Sequence, residues 1–155
     1  MLPALHLPQH PLRVELHDGK RMIFCQVRKK MVVLTPEEWV RQHVVAYLHH
    51  DLHYPLALMK MERLVIGSAR KQRADISIHD RNGNALMLIE CKAPDEPLNK
   101  ETFFQTGRYN RHIKAQYLLI SNGIHHYCCS VDASTNSFNF LSASPLYSTL
   151  IETLT

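Results

Sequence analysis

The stretch NALMLIECKAP, residues 84–94, places charged side chains directly at the end of a strongly apolar run. Leu86 to Ile89 are four consecutive apolar residues, which predict a buried strand. Because side chains alternate along a strand, Glu90 and Lys92 lie on one face and Cys91 on the other. Burying a charge is costly unless a partner compensates it. The chain is therefore expected to build a strand that ends in a site containing both an acid and an amine.

Helix and strand signals surround this stretch in a definite order. The segment TPEEWVRQHVVAYLHH predicts a helix with Thr35 as its N-cap and Pro36 at its first position. The other predicted elements are a hairpin turning at Asp18-Gly19, strands in LMKMERLVIGS and RADISIHD, a hairpin turn at Asn82-Gly83 into ALMLIECK, a helix in KETFFQTGRYNRHI, strands in AQYLLISNG and HHYCCSVD, and an edge strand in SFNFLSA. This order of helix, three strands, helix and further strands predicts an α/β fold with a mixed central sheet flanked by helices.

The composition bounds the domain organisation and the surroundings of the protein. A chain of 155 residues with 45% hydrophobic residues can bury one core, so we expect a single domain over residues 13–155 and an N-terminal arm over residues 1–12. No apolar run reaches the length of a bilayer span, no secretory signal pattern opens the chain, and the cysteines lack CxxC spacing. These features predict a cytoplasmic protein with reduced thiols and no membrane association. The net charge of +4 is compatible with a polyanionic partner.

Asp75 is the residue that the predicted hairpin brings toward Glu90 and Lys92. Folding about Asn82-Gly83 places Asp75 across from the end of the returning strand. Two carboxylates and the main-chain carbonyl of Cys91 then offer oxygen ligands of the kind that Mg²⁺ uses, and a nearby ammonium suits hydrolysis of a phosphodiester. The alternative is a structural Asp–Lys or Glu–Lys ion pair at the end of a sheet.

Several motifs in this order carry a family resemblance. RADISI followed by LIECKAP resembles the PD-(D/E)xK nuclease superfamily, in the form found at the N-terminus of type I restriction-enzyme R subunits. QTGRYN is similar to the Gln-x-x-x-Tyr motif of those domains, and TPEEWVRQHVVAYL and LISNG are similar to further segments of them. The sequence departs from the family pattern before Asp75, where Ala74 stands instead of proline. The resemblance spans roughly residues 28–130 and implies a restriction-endonuclease-like core.

The resemblance also implies roles for particular residues. Asp75 and Glu90, with the main-chain carbonyl of Cys91, would hold Mg²⁺ or Mn²⁺, and Lys92 would assist the attacking water. Gln105 would complete the catalytic set from the following helix. The residues expected to contact nucleic acid are Tyr109, Arg70, Arg73, Arg108 and Arg111.

Two further glutamates keep two interpretations each. Glu62 could be a secondary metal ligand, because the resembling group often has an acid at this strand position, or it could form a salt bridge with a neighbouring Lys or Arg. Glu38 could reach the metal from the first helix, or it could complete a capping box with Thr35. Zinc is a further alternative for His49 with His53 and for His126 with Cys128, although no second ligand pair has structural-zinc spacing.

These observations leave two functions open. The first is a metal-dependent endonuclease domain that hydrolyses DNA phosphodiester bonds, which is the function that the resemblance implies. The second is a non-catalytic nucleic-acid-binding or scaffold module with the same fold, acting with a partner protein. The sequence contains no Gly-x-x-x-x-Gly-Lys-[Ser/Thr] loop, so we expect it to lack the motor of a full R subunit. The expected partners are DNA and either another protein or a second copy of the chain.

Overall fold

The computed structural model of the protein describes residues 1–65 and 72–154, with side chains at all of these positions except 63–65, 72 and 73. Its strands are β1 (Val14–His17), β2 (Lys20–Cys25), β3 (Lys30–Val33), β4 (Met59–Val65), β5 (Gln72–His79), β6 (Ala85–Cys91), β7 (Tyr117–Ser121), β8 (His126–Asp132) and β9 (Ser137–Leu141). Its helices are α1 (Pro36–His50), α2 (Lys100–Ile113) and α3 (Tyr147–Glu152), with a single 3₁₀ turn at Leu56–Leu58. In the described ranges, none of the helices combines the length and the apolar character that crossing a bilayer requires.

The first helix begins where the sequence predicts. Thr35 has extended backbone angles, and its Oγ1 accepts a hydrogen bond of 3.0 Å from the backbone N–H of Glu38. Pro36 occupies the first helical position, where its missing N–H costs nothing. Val44 and Leu48 lie one turn apart and are almost completely buried, so one face of α1 belongs to the core.

The N-terminal hairpin belongs to a separate three-stranded sheet. β1, β2 and β3 are consecutive antiparallel strands. The turn between β1 and β2 uses positive φ angles at Asp18 and Gly19, which confirms the predicted hairpin turn. β3 is an additional strand that the sequence pattern did not separate from the hairpin.

The larger sheet has the order β4-β5-β6-β7-β8-β9 among the described residues. Its neighbouring strands are antiparallel except β6 and β7, which run parallel. A parallel pair needs a crossover connection, and α2 provides it. The sheet is therefore mixed, as predicted.

The two long helices cover opposite faces of this sheet. Leu48 of α1 belongs to the same buried cluster as Ile89, whereas Tyr109 of α2 belongs to a cluster with Leu88. Because Leu88 and Ile89 are consecutive strand residues, these clusters lie on different faces. The predicted architecture of a mixed sheet flanked by helices is confirmed.

The ends of the chain pack onto this core more closely than their sequences indicate. The backbone N–H of His6 donates to the Gly123 carbonyl over 2.7 Å, and the Trp39 indole N–H donates to the Pro3 carbonyl over 3.1 Å. Residues 1–12 thus lie against α1 and the β7–β8 turn. At the other end, α3 buries Leu150, although we predicted no helix in this segment.

Candidate active site

The geometry of the site begins with the pairing of β5 and β6. Ile76 lies opposite Ile89, which is the last pair of this ladder on the side of Asp75 and Glu90. The backbone N–H of Cys91 donates to Asp75 Oδ2 over 2.7 Å. The Asp75 carboxylate is buried, and the main chain of the neighbouring strand holds it in place.

Glu90 lies in an environment that disfavours its negative charge. The pKa of Glu90 is raised to about 8. Burial is the main cause and the charge of Asp75 adds to it, whereas Lys92 acts in the opposite direction. At neutral pH the Glu90 carboxyl is therefore largely protonated in the metal-free protein. A cation placed between Asp75 and Glu90 would favour the ionised form.

Lys92 follows Glu90 by two residues, and the two side chains lie close together. Its Nζ lies 3.4 Å from Glu90 Oε1. Burial alone would lower the pKa of Lys92, but the carboxylates of Glu90, Glu96 and Asp75 outweigh burial and raise it. Lys92 is thus a protonated amine, suited to holding an anion rather than to accepting a proton.

The closest side-chain partner of Asp75 is one that the sequence analysis did not single out. Arg41 of α1 is only 4% exposed, and its Nη2 lies 2.8 Å from Asp75 Oδ1. The same Nη2 lies 2.6 Å from Glu37 Oε1, and Nη1 lies 2.6 Å from Glu38 Oε2. Arg41 therefore joins carboxylates of α1 to the central sheet. A sequence signal existed, because Arg41 stands on the same helix face as Val44 and Leu48.

Glu37 is a second residue that the sequence analysis missed. Burial and the nearby charge of Asp75 raise the pKa of Glu37, and Arg41 opposes that rise. Its position beside the candidate site follows from the spacing of four residues between Glu37 and Arg41, which places both on one helix face.

Glu62 is an acid on a third strand, β4. Met61 lies opposite Ile76 and Arg63 lies opposite Ala74, and Glu62 is the β4 residue between these two pairs. The Glu62 backbone has a positive φ of 48°, an uncommon conformation for a residue other than glycine. Its carboxylate contacts two arginines, with Oε2 3.0 Å from Arg28 Nη2 and Oε1 3.5 Å from Arg41 Nη1. The salt bridge considered from the sequence is therefore observed, and a role for Glu62 in metal binding stays a prediction.

Glu38 forms only half of the expected capping box. Its backbone N–H donates to Thr35, but its carboxylate is bound by side chains further along α1. Oε2 accepts from Arg41, and Oε1 accepts from Gln42 Nε2 over 2.8 Å. The expectation that Glu38 completes the box is wrong in this respect, because a buried guanidinium is a stronger partner for the carboxylate than a backbone N–H.

The donor set fits a hard divalent cation of the magnesium type. Asp75 and Glu90 supply two carboxylates from adjacent strands, and Mg²⁺ commonly binds one or two carboxylates while keeping several waters. The described residues contain no group of three or more His, Cys, Asp or Glu side chains arranged around one metal ion. A closed structural zinc site needs such a group, and binding of Mg²⁺ at Asp75 and Glu90 stays a prediction.

The second helix places Gln105 and Tyr109 together, as their spacing predicts. Gln105 Nε2 donates to Tyr109 Oη over 2.7 Å. Tyr109 is buried in a cluster with Ala74 and Leu88, which are the near neighbours of Asp75 and Glu90 along their strands. The pair thus lies on the α2 side of the sheet, and its catalytic or nucleic-acid role stays a prediction.

The predicted basic residues occupy a different surface. Arg108 and Arg111 are exposed and line a groove of about 290 Å³ with Asn136 and Phe138, between α2 and the β8–β9 hairpin. They do not take part in the described hydrogen bonds and ion pairs of Asp75 and Glu90. Arg70 and the side chain of Arg73 lie outside the described residues.

Comparisons with known proteins agree with this architecture. The model of the family described as type I restriction enzyme R protein N terminus matches residues 36–145. A solved fragment described as an HsdR subunit of a type I restriction enzyme from Vibrio vulnificus YJ016 has a TM-score of 0.57 and 16% sequence identity, over 78% of this chain. The matched region is 25% of that solved chain, so the present chain spans about a quarter of its length. Among curated proteins, none matches the chain. Because the family model covers most of the sequence and includes every residue from Glu37 to Tyr109 described above, the chain belongs to the family of type I restriction enzyme R protein N termini.

Proposed function

We propose that the chain is a metal-dependent endonuclease domain that hydrolyses DNA phosphodiester bonds. The observation that carries the proposal is the hydrogen bond of 2.7 Å from the Cys91 N–H to Asp75 Oδ2, which holds the Asp75 carboxylate next to the Glu90 position of β6, with the Lys92 ammonium 3.4 Å from Glu90 Oε1. Without a bound cation, two carboxylates and an amine at the end of two strands are unfavourable, because burial and the charge of Asp75 disfavour ionisation of Glu90. A bound cation removes that conflict.

In the proposed mechanism, Asp75, Glu90 and the Cys91 carbonyl would hold Mg²⁺ or Mn²⁺. When bound, the ion would supply Lewis-acid chemistry, lowering the pKa of a water and stabilising negative charge that develops on the phosphate. Lys92 remains protonated and would hold a phosphate oxygen or the attacking water beside the carboxylates. Gln105 and Tyr109, joined by their hydrogen bond, would orient the substrate from the α2 side.

A second function is favoured by one specific observation. Arg41 already neutralises Asp75 at 2.8 Å, which is an arrangement that a non-catalytic binding or scaffold module could keep without any metal. In that case the chain would bind nucleic acid or a partner protein and would not cleave. The family relation makes both DNA and protein partners reasonable expectations for either function.

A cleavage assay separates the two functions. Plasmid, linear and single-stranded DNA, with an RNA of matched length, would be incubated with the full chain and Mg²⁺ or Mn²⁺. We expect cleavage by the wild type and its loss in Asp75→Asn and Lys92→Ala, because each removes a charge from the site, and Asp75→Asn does so with almost no change in shape. Lys60→Ala is the matched control, since Lys60 is an exposed lysine on the neighbouring strand β4.

The outcomes discriminate plainly. Cleavage by wild type and Lys60→Ala alone supports the nuclease. DNA binding by a wild type that cleaves nothing supports the binding module. Equal cleavage by every variant would place the activity outside this site and contradict the proposed function.

A further inference from the structure

We propose that Arg41 is a positioning residue that acts as the resident counter-ion of the carboxylate site, and that a divalent cation must displace it from Asp75 in order to bind. The inference rests on the proposed function, because it concerns the metal site that the function requires. It assigns a role to a residue of α1 that lies outside the acid-x-lysine strand.

The first step concerns the charges that meet at Arg41. The guanidinium contacts Glu37, Glu38, Glu62 and Asp75, with distances of 2.6, 2.6, 3.5 and 2.8 Å. Four carboxylates around one buried cation are far more than a structural ion pair requires. Arg41 is therefore the centre of an acid-rich cluster and not one half of an isolated bridge.

The second step concerns the oxygens of Asp75. Oδ2 accepts from the Cys91 backbone N–H over 2.7 Å, and Oδ1 accepts from Arg41 over 2.8 Å. Of these two donors, the backbone N–H is fixed by the sheet, whereas the arginine side chain can move. A metal ion on Oδ1 would bring a second positive charge against the guanidinium, and like charges in a buried site repel strongly. Binding of a cation to Asp75 is consequently coupled to departure of Arg41 from that oxygen.

The third step concerns where the guanidinium goes. Glu37 and Glu38 belong to the same helix as Arg41, so they hold it on α1 when the bond to Asp75 breaks. In the described contacts, the buried Nε of Arg41 has no hydrogen-bond partner. The present position thus leaves one donor unsatisfied, which lowers the cost of moving the guanidinium to a different set of acceptors. Arg41 can leave Asp75 without becoming an unpaired buried charge.

The test measures metal binding directly, without any cleavage readout. Calorimetric titration of the full chain with Mn²⁺ would be performed on the wild type, Arg41→Gln and Arg28→Gln. Arg28 is the matched control, because it also contacts Glu62 but has no described bond to Asp75. We expect the Kd of Arg41→Gln for Mn²⁺ to fall by about tenfold or more, since a charge at this distance changes ionic equilibria by one to three powers of ten. The Kd of Arg28→Gln is expected to change much less.

A thermal measurement adds a second prediction from the same variants. Without metal, Arg41→Gln should melt below the wild type, because its carboxylates lose their cation. With saturating Mn²⁺, it should show a larger rise in Tm than the wild type. If Arg41→Gln does not fold, the double variant Arg41→Gln with Glu37→Gln removes one charge of each sign and takes its place in both measurements.

The outcomes distinguish this inference from the proposed function. Asp75→Asn establishes whether binding occurs at this site. Mn²⁺ binding that depends on Asp75 but is unchanged or weaker in Arg41→Gln overturns the inference and leaves the metal site standing. Binding only in Arg41→Gln supports the inference in its strongest form. Absence of binding in the wild type and in Arg41→Gln alike overturns both the inference and the metal site.

Discussion

Glu90 holds its proton at neutral pH because burial and the Asp75 charge both act against ionisation. Such a carboxyl destabilises the fold once the surrounding solution removes its proton. Asp75 accepts hydrogen bonds from Arg41 and from the Cys91 backbone, whereas the side-chain partner of Glu90 is Lys92. The two acids on adjacent strands thus have different partners.

The first prediction concerns the pH dependence of stability in the absence of metal. The pKa of Glu90 is about 8 in the folded protein against an ordinary value of 4.5, so between these values the folded state binds more protons than the unfolded state. Stability therefore falls as the pH rises through this window. We expect Tm to decrease between about pH 5 and about pH 9, by roughly 2–4 °C for each kcal/mol lost in a chain of this size.

The check is a comparison of Tm against pH for Glu90→Gln, which cannot ionise, and for Glu101→Gln, an exposed glutamate of α2. Glu90→Gln should flatten the decline, whereas Glu101→Gln should follow the wild type. Parallel curves for all three proteins would show that Glu90 has an ordinary pKa in the folded state.

At the level of residues, the sequence predicted the half of the site that depends on strand geometry. Asp75 and Glu90 lie on adjacent strands because the hairpin turn joins β5 to β6, and Lys92 lies close to Glu90 because it follows two residues later in the chain. Arg41 and Glu37 could not be placed in the same way. Their contacts depend on how α1 packs against the sheet, and helical periodicity gives the buried face of a helix but not the strand residues that it meets.

At the level of elements, the turns are the features that the sequence predicted most accurately. Gly19 and Gly83 both adopt positive φ at predicted turns, a conformation that glycine reaches without strain. The helix α3 was missed because its six residues are too few to show a hydrophobic period. The docking of the N-terminal arm was also missed, since a proline-rich segment has no hydrophobic period from which its contacts could be predicted.

The second prediction tests how the arm docks on the β7–β8 turn. A Cβ at Gly123 would lie 2.7 Å from Leu5 Cδ2, whereas a Cβ at Gly83 would meet nothing within 4 Å. The φ angles of the two glycines are nearly equal, at 84° and 86°. Gly83→Ala should therefore cost only the left-handed backbone, about 1–2 kcal/mol, and Gly123→Ala should cost more because Leu5 must move.

Urea denaturation of the two variants measures the difference in the free energy of unfolding. Adding Leu5→Ala to Gly123→Ala should recover part of the extra loss, as expected for residues in direct contact. Equal losses for Gly83→Ala and Gly123→Ala would mean that the arm does not rest on the turn in solution.

At the level of the whole molecule, the predicted order of elements led to the correct architecture. The mixed sheet follows from one parallel pair, β6 and β7, which the helix α2 connects. Separation of the N-terminal strands into a second sheet was not predicted, because hydrophobic alternation identifies a strand but not the sheet it joins. The result is a central sheet with Asp75 and Glu90 on adjacent strands and a basic groove between α2 and the β8–β9 hairpin.

The third prediction concerns that basic groove. Arg108 and Arg111 are three residues apart on α2, so they lie on one helix face, and both line the groove beside Phe138. If this face follows the phosphates of bound DNA, each arginine releases about one counter-ion on binding. Replacing either arginine by alanine should weaken binding to DNA duplexes of different sequence by a similar factor. It should also reduce the slope of log K against log salt concentration by about one.

Fluorescence anisotropy with a labelled duplex at several salt concentrations gives that slope. Arg21→Ala is the control, because Arg21 is exposed on β2 in the other sheet and should leave the slope unchanged. A catalytically silent background is obtained by carrying Lys92→Ala in every protein, so that cleavage does not distort the binding curves. Equal slopes for Arg108→Ala, Arg111→Ala and Arg21→Ala would show that this face of α2 does not contact the DNA phosphates. The phosphate contacts would then have to come from another part of the chain.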